Sequence, residues 1–163
     1  MFIQEIIDWV SAAVDDRLHV DMGLEFPSLT LKDTGVSLLI IPLDKWVEQS
    51  PPDEFIRTFL DSRKNAKWVV IWEDMWARRK DIIKNRLLAY AGKSKRIHGR
   101  KCRIEKMSAK EALTFFDENH LMGNTKAKYR LMLTQGDQIM AAATFGRSVP
   151  AMRNGNEVKS HEL

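Results

Sequence analysis

Twelve Lys and Arg side chains against two acids fall between Ala77 and Lys106, whereas the stretch before it carries seven against fourteen and the stretch after it seven against six. Cations at this density suit a polyanion, because each phosphate they neutralise releases condensed counterions. The candidate phosphate-binding residues are Arg78, Arg79, Lys84, Arg86, Lys95, Arg96, Arg100 and Lys101. The same stretch also reads as a solvated helix face followed by a linker. Glu73-Asp74 closes an apolar run and reads either as metal ligands or as a strand-end acid and a helix N-cap. His19 sits near a predicted helix end, where an imidazolium favours the dipole, and His120 in Asn-His-Leu-Met-Gly reads as a turn residue or a catalyst. Cys102 has basic neighbours that favour a thiolate, yet on a strand it reads as a small buried hydrophobe. Four His and one Cys lack zinc spacing, and the chain has no Gly-rich phosphate loop, Walker sequence or Gly-x-Ser-x-Gly elbow.

The elements that position these residues follow from periodicity. Ile3, Ile6, Ile7, Val10, Val14 and Leu18 recur at helical spacing and predict a helix over 2–18. Residues 28–32 alternate, Asp33-Thr34-Gly35 is a turn, and Val36–Ile41 is continuously apolar, which predicts a hairpin whose second strand is central in a sheet. Ser50-Pro51-Pro52-Asp53 reads as an N-cap and first turn, with Phe55, Ile56, Phe59 and Leu60 as the buried face. The apolar run 68–72 is then a second buried strand, reached by a crossover from the first. A helix over 76–91, capped by Asp74, turns Ile83, Leu87 and Ala91 inward and stops at Gly92. The basic segment 93–101 is the expected boundary between a domain over 1–92 and another over 102–163. In the latter, a strand over 102–105 precedes Ser108-Ala109-Lys110-Glu111, a capping box opening a helix with Ala112, Leu113, Phe115 and Phe116 inside. Residues 128–134 and 138–145 flank a hairpin turn, and one faint extended segment follows over 158–163.

A chain of 163 residues, 44% hydrophobic and 29% charged, has a globular balance that excludes collagen-like and wholly disordered classes. No apolar run approaches the roughly 20 residues of a membrane span, so no membrane partner is expected. The acids in the first eight residues argue against an export signal, and a single Cys fits a reducing compartment, so a cytoplasmic location is expected.

The order helix, hairpin, helix, strand, helix, with acids near strand ends, is compatible with a restriction-endonuclease-like α/β fold: a mixed sheet flanked by helices, followed here by a partial α+β domain. At Trp68-Val69-Val70-Ile71-Trp72-Glu73-Asp74-Met75-Trp76 with Arg78-Arg79-Lys80-Asp81-Ile82-Ile83, the chain resembles very-short-patch-repair-like endonucleases, above all the homing endonucleases of that class found in phages and beside split inteins. A second series runs through Ile97-His98-Gly99-Arg100-Lys101-Cys102-Arg103-Ile104, Phe115-Phe116-Asp117-Glu118-Asn119-His120-Leu121-Met122-Gly123 and Thr144-Phe145-Gly146. It resembles the domain that follows the nuclease in such phage proteins, whose strand, helix, hairpin order is similar to the front half of an N-acetyltransferase-like fold. Together the two series cover 68–146, as words in order rather than one short match.

The resemblance implies Mg²⁺-dependent cleavage of double-stranded DNA, with a helix-borne Glu, an Asp on the first strand, and a polar residue with His after the second strand. Glu5 lies where the helix acid belongs; Asp21 and Glu25 are available for the strand acid, although the family's spacing lands on Gly23. Pro42-Leu43-Asp44-Lys45-Trp46 keeps the aromatic residue and lacks the His, with Asp44 placed to serve a metal and Lys45 a phosphate. The implied catalytic set is Glu5, Asp21, Glu25, Asp44 and Lys45, and the Mg²⁺ donors are Asp21, Glu25 and Asp44. Two other readings are a non-catalytic DNA-binding accessory module and a truncated acyltransferase-like protein. The last lacks a pyrophosphate-binding turn before the chain stops at His161-Glu162-Leu163, so the second domain is either incomplete or binds no coenzyme.

Overall fold

The structure, a computed structural model, describes residues 2–14, 18–23, 26–47, 52–63, 67–124, 126–153 and 156–161. Two compact units divide the chain, Met1–Ser94 and Lys95–Leu163, and the division falls inside the basic segment.

In the first unit, α1 (Phe2–Ala13) buries Ile6 and Val10, one helical turn apart. It ends short of the predicted Leu18, which leads instead into β1 (His19–Asp21), a strand too short to show alternation. His19 opens that strand and is exposed, a correction to its expected place at a helix end. The predicted hairpin forms as β2 (Ser28–Leu31) and β3 (Val36–Ile41), turning through Gly35 at φ +68°. A crossover through α2 (Leu43–Val47) and α3 (Pro52–Asp61) returns the chain to β4 (Lys67–Trp72), which runs parallel to β3. The five-residue α2 was not expected, and the Ser50 N-cap lies outside the described residues.

The result is a mixed four-stranded sheet in the order β1-β2-β3-β4. All six residues of β3 are buried, as a strand covered on both faces requires. Leu39 and Ile41, paired with Val70 and Trp72, pack with Phe26 against Phe59, Ile56 and Leu60 of α3. Each of the fully buried side chains, Phe26, Leu39 and Ile41, contributes about 1.5–3 kcal/mol. The alternate residues Leu38, Ile40 and Ile71 fill the other face. There α4 (Glu73–Tyr90) packs on β3 and β4 and meets α1 edge to face, Trp9 against Trp76 with centroids 6.3 Å apart. Trp76, Ile82, Ile83 and Leu87 form its buried side. The helix begins at Glu73, so Asp74 lies in the first turn and Trp72 is the N-cap residue, without a side-chain bond. That corrects the Asp74 cap; the two acids instead complement the positive end of the helix. Arg79 departs from helical geometry at φ −134°, ψ 35°, and the helix closes at Gly92, φ +71°, with Lys93 N–H donating to the Leu88 carbonyl.

In the second unit a short 3-10 turn, Gly99–Lys101, leads to β5 (Arg103–Lys106). Cys102 precedes that strand rather than lying on it; it is half-buried, with Sγ 3.9 Å from the His98 carbonyl oxygen. The capping box forms as predicted: Glu111 N–H donates to Ser108 Oγ at 3.2 Å and Ser108 N–H to Glu111 Oε2 at 2.8 Å, opening α5 (Ala109–Asn119). Ala112 is fully buried and Phe115 and Phe116 are half-buried, but Leu113 is 50% exposed, contrary to expectation. His120 ends the helix as a turn residue: its N–H reaches the Phe116 carbonyl and its own carbonyl accepts from Gly123 N–H. β6 (Tyr129–Gln135) and β7 (Gln138–Phe145) form the expected hairpin and, with β5, a three-stranded antiparallel sheet in the order β5-β6-β7. A second hairpin, β8 (Ser148–Arg153) with β9 (Asn156–His161), replaces the single extended segment predicted near the end. Among the described residues no helix is long and apolar enough to cross a membrane.

Candidate nucleic-acid interface and the acidic sheet edge

Strands β1, β3 and β4 run in the same direction, so their C-terminal ends share one edge of the first sheet. Asp21 ends β1, Asp44 and Lys45 follow β3 on α2, and Glu73 and Asp74 follow β4. Each acid for which a bond is described there has local work. Asp21 Oδ1 accepts from Gly23 N–H at 2.8 Å, Asp44 Oδ1 from Lys45 N–H at 2.8 Å, and Glu73 Oε2 from Leu43 N–H at 2.9 Å. The last bond ties the end of β4 to the start of α2. Gly23, where the resemblance asks for an acid, supplies an amide. Trp46, the retained aromatic, packs edge to face on Trp72 at 4.7 Å.

Glu5 stands elsewhere. Its Oε1 accepts from Lys80 Nζ of α4, a pair between two half-exposed to exposed side chains. That hydrogen bond holds the Glu5 carboxyl below the ordinary carboxylate range. The Trp76 indole contributes second, although its N–H finds no partner of full hydrogen-bond geometry. Two carboxylates meeting without a metal would push one pKa upward, the reverse of what Glu5 experiences. The register explains the separation: Asp21 shares a row with Ser28, Leu39 and Val70 on the α3 face, while Glu5 belongs to the α1 and α4 layer.

Asp21 and Asp44 are hard oxygen donors of the kind Mg²⁺ prefers. Glu25, the third expected donor, lies outside the described residues. Among the described residues no group of three acids, histidines or cysteines comes together to hold a metal. The described residues therefore offer isolated carboxylates on an edge, not a cage.

The basic stretch divides by use. Lys84 is half-buried, its Nζ 5.3 Å from the Trp9 ring and 5.9 Å from that of Trp76, so this cation lies against aromatic faces. Arg79 is half-buried at the break in α4. Arg78 and Arg86 on α4 are exposed, as are Lys95, Arg96, Arg100 and Lys101 in the second unit. In that unit, Lys95, Arg96, His98 and Lys101 line a pocket of about 470 Å³ with Gln135 and Gln138. Sequence reading gave the segment little to pack against. It missed the two glutamines and Met140, because the β6–β7 hairpin that brings them to the linker lies some forty residues further along the chain and leaves no local signal. Comparison of the chain with protein-family models, curated proteins and solved structures returns no match.

Proposed function

We propose that the protein binds double-stranded DNA, on a framework of the restriction-endonuclease-like, very-short-patch-repair-like class followed by a partial N-acetyltransferase-like unit. The observation that carries this reading is the set of exposed cations Arg78, Arg86, Lys95, Arg96, Arg100 and Lys101, six guanidinium or ammonium groups within 24 residues for which no carboxylate partner is described. Phosphate contacts of this kind give affinity without sequence reading. The test is fluorescence anisotropy on a short duplex, with salt raised from about 50 to 200 mM. Replacing Arg78, Arg86 and Arg100 by Gln flattens the slope of log affinity against log salt by roughly 0.9 for each phosphate left without its cation. An unchanged slope removes these residues from the binding surface.

The second reading is Mg²⁺-dependent phosphodiester hydrolysis, favoured by the shared edge at which Asp21 and Asp44 sit. Asp21, Glu25 and Asp44 would hold the ion, which supplies an activated water beside the phosphate, and Lys45 would meet the phosphate. Plasmid nicking at millimolar Mg²⁺, abolished in Asp21→Asn and Asp44→Asn, supports it; a wild-type chain that binds duplex but never nicks it leaves the accessory-module reading standing.

A further inference from the structure

The basic pocket of the second unit continues into a larger one. A cavity of about 720 Å³ shares Ile97, Gln138 and Met140 with it and extends between α5 and the start of β7. The two ends differ in chemistry. One carries Lys95, Arg96 and Lys101, for none of which a carboxylate partner is described. The other is lined by Phe115, Ile139 and Met140 together with Glu118, Asp137 and Asn119, and by a single cation, Lys110. Both volumes fall in the range of small-ligand sites.

A ligand matching this groove has an anionic end, a flat apolar body and hydrogen-bond donors opposite the anion. We propose that the groove holds one nucleotide of a single-stranded DNA segment, its phosphate among Lys95, Arg96 and Lys101 and its base against Phe115, Ile139 and Met140. The Glu118 and Asp137 carboxylates that line the larger cavity accept from exocyclic amines, as Asp and Glu do from the cytosine N4 amine. A base inside a duplex is stacked and paired and cannot enter such a groove, whereas an unstacked one can. The choice of DNA as the polymer rests on the duplex-binding function proposed above; the groove chemistry does not.

The test is anisotropy of the full chain with three probes: a short oligodeoxycytidylate, an abasic strand of the same length, and a duplex. The abasic strand keeps the phosphates and removes the bases, so it is expected to bind about tenfold more weakly. Reversing Lys95, Arg96 and Lys101 to Glu weakens both single strands. Phe115→Ala weakens oligodeoxycytidylate about tenfold and leaves the abasic strand unchanged. Phe115 is half-buried, so Gln138→Glu, at an exposed residue on the wall shared with the basic pocket, is a second variant without packing cost; its carboxylate repels phosphate and is expected to weaken both single strands. Equal binding of abasic and cytidine strands, or no effect of both Phe115→Ala and Gln138→Glu, overturns the proposal. A protein that follows the expected single-strand pattern yet ignores the duplex overturns the duplex reading and supports the groove.

Discussion

The described apolar side chains that are buried lie almost all in Met1–Ser94, from Ile6 to Leu87, while Lys95–Leu163 contributes Met107 and Ala112. The first unit closes both faces of its sheet with helices. The second leaves a row of its sheet in contact with water: Ile104, in register with Leu133 and Ala141, is 73% exposed, and Leu131, in register with Ala143, is 38% exposed. Order in the first unit therefore rests on apolar burial, and in the second on strand ladders and a capped helix. The chemistry follows the same division. The first unit sets Lys80 and Lys84 against its own helices and leaves Arg78 and Arg86 exposed, whereas the second gathers Lys95, Arg96 and Lys101 at a groove.

That contrast is open to attack, most forcefully in the first core. Leu39→Ala empties a fully buried site and is expected to cost about 2–5 kcal/mol. All five Trp lie in the first unit, so a urea titration followed by Trp fluorescence reads that unit alone. A destabilisation below about 0.5 kcal/mol would mean that the core is not what holds it. Next in size, Ser108→Ala removes the α5 cap and is expected to cost about 1 kcal/mol, seen as faster amide exchange along α5 with the Trp transition unmoved. The same box is sensitive to acid. Bonds from the Ser108 side chain and backbone hold the Glu111 carboxyl below its usual value. Its contribution is then complete above the unfolded carboxylate pKa and declines as pH falls through the lowered folded value. Acidification from neutral pH should therefore loosen α5 progressively from the ordinary carboxylate range downward, and Glu111→Gln should remove that dependence. The smallest effect is expected of Ile104→Ala, within about 0.5 kcal/mol, because that side chain is already in water. A larger destabilisation would show that the exposed row is covered in solution.

What could be read in advance was local. The apolar runs of β3 and β4, the Asp33-Thr34-Gly35 turn and the Ser108 capping box each announce themselves within a few residues. The strand β1 and the helix α2 did not, being three and five residues long and fixed by neighbours rather than by their own pattern. Helical spacing turns Leu113 inward, but that rule presumes a full partner layer, and half of this side chain remains in water. At the candidate site the exposed cations were visible as composition. The pairing of Glu5 with Lys80 and the groove between linker and hairpin were not, since both join residues far apart in the chain.

The break at Arg79 gives α4 two parts with separate fates. In a regular helix the amides of residues 80–83 pair with the carbonyls of residues 76–79, so the break at Arg79 falls within their ladder. In native-state hydrogen exchange those four protons should appear with a lower opening free energy than the buried turn around Leu87, marking a cooperative unit boundary within a single helix. Opening confined to that boundary would leave the first turn on the sheet and Lys84 and Arg86 on the turns held by Ile83 and Leu87.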